Sequence, residues 1–247
     1  MELKILGSSS AGNCYVFDNG KEALVVEAGV PFNEVKKAVD FDISRIVGCL
    51  VSHEHGDHAK SVWQFVEARV SVYGSQGTIE TFGTLEKRQK LYVLPENGYT
   101  KFGNFTVLPF SVKHDAVDPL GFLIHHPETG NVLYATDTYY LEYTFKGLNN
   151  VLIECNYRMN ILEANVAAGY VPKAQRDRTL QSHLSYHTCR ETLLANDLRA
   201  VNNIVLIHLS DGNSNAREFR NGIAEATGKT VWVADKGMIL SLNKCPF

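Results

Sequence analysis

Cysteine is scarce and scattered in this chain: Cys14, Cys49, Cys155, Cys189 and Cys245 are the only five in 247 residues, and none forms a CxxC pair. That pattern offers no disulfide framework and no thiolate zinc site, and it predicts reduced thiols in a cytoplasmic setting. Long apolar runs are missing as well. Nothing approaches the roughly 18–20 residues of a membrane span. Met1-Glu2-Leu3-Lys4-Ile5-Leu6 meets Gly7 without the longer apolar region of a secretory signal, so neither a membrane nor export is expected. Excess positive charge is also lacking: 24 Lys and Arg against 27 Asp and Glu leave a formal charge of −3. Affinity for nucleic acid would have to come from a local basic patch or from bound metal ions. With 45% hydrophobic residues and no linker or low-complexity stretch, one domain over residues 1–247 is expected.

What is present is a succession of short apolar or alternating runs. Strands are expected over 22–27, 45–52, 70–73, 91–94 and 104–112. Gly121 to His126 and Val132 to Thr136 flank the turn sequence Pro127-Glu128-Thr129-Gly130 and read as a hairpin. Val62, Phe65 and Val66 recur at helical spacing. In the second half, 151–154 and 203–208 read as strands and 188–198 and 216–226 as helices. Two short strands, 230–234 and 238–242, close the chain around Asp235-Lys236-Gly237.

The densest chemical signal is His53-Glu54-His55-Gly56-Asp57-His58, placed directly after the apolar run Ile46 to Val51. A strand ending in a tight turn can aim His53, His55, Asp57 and His58 into one small volume, and imidazole with carboxylate suits Zn²⁺, Mn²⁺ or Fe²⁺. Further single ligand types follow expected strands: His114, Asp137 and His208. The run resembles the HxHxDH signature of the metallo-β-lactamase superfamily, and the three later residues stand in that family's order. Leu6-Gly7-Ser8-Ser9-Ser10-Ala11-Gly12-Asn13-Cys14, Val112-Lys113-His114-Asp115-Ala116, Leu152 to Tyr157 and Ser182-His183-Leu184-Ser185 are similar to the YycJ/WalJ-like branch.

The resemblance implies a four-layer αββα sandwich, an α/β fold that the strand and helix counts are compatible with but would not select alone. It also implies two divalent ions per chain, zinc foremost, with manganese or iron as alternatives. His53, His55 and His114 would hold one ion and Asp57, His58 and His208 the other. Asp137 would bridge them, and Asp57 would be both ligand and catalytic carboxylate. The implied activity is phosphodiester hydrolysis by a metal-bridging hydroxide, on DNA more than RNA, from a 5′ end. Related nucleases such as ribonuclease Z carry a histidine between the bridging Asp and the last ligand, which gives His183 the role of proton donor. Arg178 is the expected phosphate contact, from a basic group of Lys173, Arg176 and Arg178 offset only by Asp177.

Blander readings apply to the remaining candidates. His125 and His126 precede the hairpin turn and are expected in solvent; His187 is expected at a helix start or on the surface. Glu54 is expected to be solvated or to support the ligands, and Glu27, where the superfamily commonly has Asp, to orient the ligand loop. Two other functions use the same residues. One is hydrolysis of a small thioester or lactam, for which neither His183 nor Arg178 is needed. The other is a non-catalytic metal- or DNA-binding protein, whose mark would be a missing ligand.

Overall fold

The computed structural model describes residues 1–83, 89–96 and 98–245. One sheet of seven strands contains β1 (Glu2–Gly7), β2 (Cys14–Asp18), β3 (Ala23–Val26), β4 (Ile46–Leu50), β5 (Val72–Gly74), β6 (Leu91–Val93) and β14 (Ile239–Ser241). Their spatial order is β14-β1-β2-β3-β4-β5-β6. The second sheet holds β7 (Thr100–Phe102), β8 (Phe105–Ser111), β9 (Leu120–His126), β10 (Gly130–Ala135), β11 (Leu148–Glu154), β12 (Asn203–Ile207) and β13 (Thr230–Val233), in the order β13-β12-β11-β10-β9-β8-β7. Both sheets mix antiparallel and parallel pairs; β3 with β4 and β10 with β11 are parallel, β1 with β2 and β9 with β10 antiparallel.

Alternation along the strands sorts side chains into three cores. Tyr15 and Phe17 of β2 and Val132 and Tyr134 of β10 point between the sheets, where they meet Leu24, Leu50, Phe105, Phe122 and Val205. Their neighbours Cys14 and Val16 point outward onto Phe32 and Val35 of α1 (Phe32–Ala38) and Val62 and Phe65 of α3 (Val62–Glu67), which follows the short α2 (Gly56–Ala59). Leu133 and Ala135 do the same on the other side. They pack with Cys189 and Leu193 of α7 (Tyr186–Ala195) and Phe219 and Ile223 of α8 (Ala216–Thr227). The other α-helices among the described residues are α4 (Gln76–Thr81), α5 (Met159–Ala167) and α6 (Lys173–Ser182). Helix, sheet, sheet, helix is the expected αββα order. It also explains why the central strands read as continuous apolar runs: both of their faces are buried.

The hairpin of β9 and β10 forms as the sequence indicates, with Gly130 opposite His126. Gly130 has φ of 64°, and a Cβ there would lie 2.0 Å from Asn149 Oδ1, so the turn needs glycine. The last two strands differ in fate. β13 pairs with β12 and β14 with β1, so Asp235-Lys236-Gly237 carries the chain from one sheet to the other. Four cysteines are buried, Cys245 is exposed, and none of the five forms a disulfide. No helix among the described residues is long and apolar enough to cross a membrane.

Candidate metal centre

The candidate ligands leave the sheets along one edge of the sandwich. His53 follows β4, His114 follows β8, Asp137 follows β10 and His208 follows β12. Where β3, β10 and β12 end, the chain turns sharply: Glu27, Asp137 and His208 have φ of 69°, 45° and 52°. L-residues adopt that region at a cost, and the cost is tolerated where surroundings fix a side chain for use. The loop carrying His53 to His58 is bolted to the end of β3. Glu27 N donates to Leu50 O, Ala28 N to His58 O and Asn13 N to Asp57 O, at 2.7–2.8 Å. Gly29 lies beneath it so closely that a Cβ would stand 1.7 Å from the Asp57 carbonyl oxygen.

The expected ligands fall into two groups of atoms, each with its members within 4.8 Å of one another: His53, His55 and His114, and Asp57, His58, Asp137 and His208; a third group, Asp137, Glu154, His183 and His208, meets the same criterion and overlaps the second. Bonds of 2.0–2.2 Å at a tetrahedral angle place ligand atoms about 3.3–3.6 Å apart. The observed spacings straddle that value. His55 Nδ1 is 3.1 Å from His114 Nε2, and His208 Nε2 is 3.1 Å from Asp57 Oδ2. Asp137 Oδ2 lies 3.5 Å from both His114 Nε2 and His58 Nε2 and 3.8 Å from His53 Nε2, so one oxygen reaches both groups.

Two of the other ring nitrogens are met from behind, and for His114 the partner is a carbonyl, which sets its tautomer. His114 Nδ1 donates to Ser182 O at 2.8 Å, and His53 Nδ1 is 2.9 Å from Ser52 Oγ. His53 Nε2, buried, has no hydrogen-bond partner. His58 Nδ1 also lacks a hydrogen bond of good geometry, although Glu27 Oε1 is 3.4 Å away; proximity is real there, and alignment is poor. Glu27 in turn accepts from Tyr134 Oη at 3.0 Å and from Ser52 N at 3.2 Å. The glutamate at this position thus reaches His58 and the ligand loop, as expected of it.

Charge separates the two groups. Burial pushes the imidazoles of His53 and His114 down, so they stand neutral and ready to donate lone pairs. Burial acts on His58 and His208 too, but the carboxylates of Asp137, with Glu27 for His58 and Asp57 for His208, outweigh it and raise both. Asp137, which burial alone would raise, is held well below the usual carboxylate range by His208 and His58. This side of the centre demands positive charge. Neutral imidazoles facing clustered carboxylates, with an unpartnered buried nitrogen between them, fit a pair of divalent ions.

His183 and Arg178 sit around this centre in different ways. His183 is 19% exposed; its Nδ1 donates to Glu154 Oε1 at 2.6 Å and lies 4.0 Å from Asp137 Oδ2. Glu154 is fully buried, its Oε1 also 3.2 Å from His208 Nδ1 and its Oε2 accepting from Thr138 N and Leu184 N. Sequence reasoning gave Glu154 no role. The available signal was an acidic residue closing the apolar run Val151-Leu152-Ile153, as Glu27 and Asp137 close theirs. Arg178 Nε donates to Asp115 Oδ2 at 2.6 Å, and Asp115 Oδ1 is 3.4 Å from His114 Nε2, so the guanidinium stands at the rim.

Two expectations need correction. The basic group on α6 is offset by more than Asp177, because Glu163 takes Arg176 and Asp115 takes Arg178. His126 is buried rather than solvated, its Nε2 3.2 Å from Glu22 Oε1, because its strand turns it toward Phe105 and the interior. His125 is exposed, and His187 lies on the surface against Glu191. Glu54 Oε1 accepts from Val117 N.

Known proteins are similar to this chain in sequence and in fold. The chain is 26% identical to Exodeoxyribonuclease YycJ of Bacillus anthracis, over 91% of this chain and 88% of that protein. It is 28% identical to Exodeoxyribonuclease WalJ of Streptococcus pneumoniae, over 86% of this chain and 83% of that protein. The fold superposes on YhfI, a metallo-β-lactamase fold protein of Bacillus subtilis, with a TM-score of 0.72 at 16% identity, covering 97% of this chain and 99% of that one. With residues 9–139 matching the family model of the metallo-β-lactamase superfamily, and both the sandwich and the ligand edge in place, the chain belongs to that superfamily of metal-dependent hydrolases.

Proposed function

We propose that this hydrolase cleaves phosphodiester bonds of nucleic acid, DNA in preference to RNA, working from a 5′ end. The observation that carries the reading is the pair His183 and Glu154 beside the ligand groups. An alkoxide leaving from phosphorus needs a proton, and a histidine whose Nδ1–H is given to a buried carboxylate keeps Nε2 as its proton-transfer atom. The carboxylates of Glu154 and Asp137 raise His183 against the downward pull of burial, which favours the protonated, donor form. A thioester hydrolase expels a thiolate, which leaves without such a donor. The two relatives named as exodeoxyribonucleases, matched over most of their length, support DNA as substrate.

In this reading His53, His55 and His114 would hold one ion and Asp57, His58 and His208 the other, with Asp137 available to both. When bound, two such ions supply an acidified water and positive charge at the attacked phosphate. The chain's own residues do the rest. Ser52 and the Ser182 carbonyl hold the rings of His53 and His114, Glu27 holds the Ser52 amide, and Glu154 orients His183 and His208. Arg178, freed from Asp115, grips phosphate oxygens with two parallel N–H groups.

The test is a substrate panel. Metal-analysed protein, with two Zn²⁺ or Mn²⁺ per chain, is incubated with single- and double-stranded DNA and RNA labelled at either end, beside a thioester and a lactam. Release of mononucleotides from the 5′ end of DNA is expected. Turnover of the thioester or lactam with every strand intact would overturn the reading.

A further inference from the structure

The segment that leaves the centre after Asp137 carries two consecutive exposed aromatics, Tyr139 and Tyr140, at 44% and 53% exposure. Its backbone is held firmly. Thr138 N donates to Glu154 Oε2 and Tyr139 N to Lys113 O; Thr138 Oγ1 accepts from Lys113 N and donates to Tyr140 O. Leu141, buried in the outer core, and a bond from Phe145 N to Asn196 Oδ1 anchor the far end. Lys113 immediately precedes His114, so both tyrosines are fastened next to a candidate ligand.

Single exposed aromatics are ordinary on protein surfaces. These two differ from Tyr143 on the same segment, whose ring packs edge-on against Phe110 and near Phe145. Among the described residues, neither Tyr139 nor Tyr140 has a ring contact or a side-chain hydrogen bond. Cationic groups stand on either side of His114: Lys113 paired at 3.2 Å with Glu142, and Arg178 paired with Asp115. Exposed pairs of this kind exchange partners at little cost. Aromatic faces interleaved with basic side chains, beside a centre that attacks phosphorus, are complementary to a chain of bases on a phosphate backbone.

We propose that Tyr139 and Tyr140 form a stacking platform for bases of single-stranded nucleic acid adjoining the scissile phosphate, with Lys113 and Arg178 meeting the backbone. This rests on the nucleic-acid reading above and extends it to the form of the substrate: the bases at the cut must be unpaired. A rigid loop with two-torsion side chains loses little entropy on binding, so the stacking energy appears in affinity.

The test uses metal-loaded enzyme and a 5′-labelled single-stranded oligonucleotide, together with the same strand made abasic on both sides of the scissile bond. Tyr139→Ala and Tyr140→Ala are each expected to raise KM for the normal strand roughly 5- to 100-fold, with kcat little changed, whereas Tyr→Phe retains wild-type KM. Wild type itself should lose a similar factor on the abasic strand, where alanine and wild type converge. Wild-type KM in alanine variants of normal circular dichroism and metal content would overturn the platform, as would equal losses on both strands. Failure of the wild type to cleave any strand would instead sink the functional reading and this proposal with it.

Discussion

Two buried glutamate–histidine contacts lie at opposite ends of the same sandwich, and they behave differently. At one end Glu22 meets His126 at 3.2 Å, across 104 residues of sequence. Every polar atom there is used: Glu22 accepts from Asn104 N and Nδ2, and His126 Nδ1 accepts from Glu128 N. At the other end Glu154 meets His183 and His208, yet around them stand a ring nitrogen with no hydrogen bond and carboxylates crowded against imidazoles. Burial of a histidine beside a carboxylate does not make a site. What does is the remainder: closed hydrogen bonding leaves nothing to bind a ligand, whereas unpaired lone pairs and uncompensated charge call for a cation.

The comparison is broken most severely at its strongest point. Asp137→Ala removes a carboxylate whose oxygen approaches both ligand groups. Activity should fall to background and metal analysis should return fewer than two ions per chain; full occupancy with normal turnover would contradict the paired-ion reading. His183→Ala comes next. Both ions should remain, and cleavage of natural phosphodiesters should slow roughly 10²- to 10⁴-fold, the usual worth of a positioned acid. On bis(p-nitrophenyl) phosphate, whose leaving group needs no proton, most of that deficit should disappear. Equal losses on both substrates would make His183 a phosphate-positioning or structural residue.

At the opposite end the effects should be confined to stability. His126→Ala deletes a buried ring and leaves Glu22 short of a partner, which costs about 2–4 kcal/mol and lowers Tm by roughly 5–15 °C. Metal content and kcat/KM should be unchanged; a loss of either would erase the distinction between the two ends. The smallest effect is one of pH. Burial alone would raise Glu22, but hydrogen bonds from Asn104 and the nearby His126 lower it below its usual value of 4.5. A carboxyl depressed in the folded state contributes stability that is present above its unfolded pKa and is lost as pH falls through the folded one. Thermal melts of wild type should therefore lose stability below about pH 4.5. Glu22→Gln, already weaker at pH 7 by about 1 kcal/mol, should approach wild type in that range. Parallel curves would remove Glu22 from the account.

Much of the candidate centre was legible in the primary structure because its candidate ligands are local or terminal to strands. His53 to His58 sit within one turn, and residue type and spacing alone declare metal chemistry. His114, Asp137 and His208 close apolar runs, and hydrophobic periodicity locates such ends. The αββα layering was legible only through family resemblance: a strand buried on both faces has the same apolar run whether it lies in one sheet or the other. For the same reason the closing strands around Asp235-Lys236-Gly237 gave no sign that they enter different sheets.

What the sequence by itself determined is the inventory: the types of the candidate ligands, their order and the strand ends that present them. Only the tertiary structure decided which atoms meet. Glu154 became the partner of His208 because parallel β11 and β12 end side by side, a juxtaposition made across 54 residues, and of His183 because the end of α6 delivers that ring to the same carboxylate. Arg176 and Arg178 lost their apparent freedom because Glu163 and Asp115 arrive from other segments, and His126 turned inward because the sandwich closes over it. Periodicity and motif are properties of neighbouring residues, whereas pairing, burial and the direction of a pKa shift belong to groups that the chain brings together only when it folds.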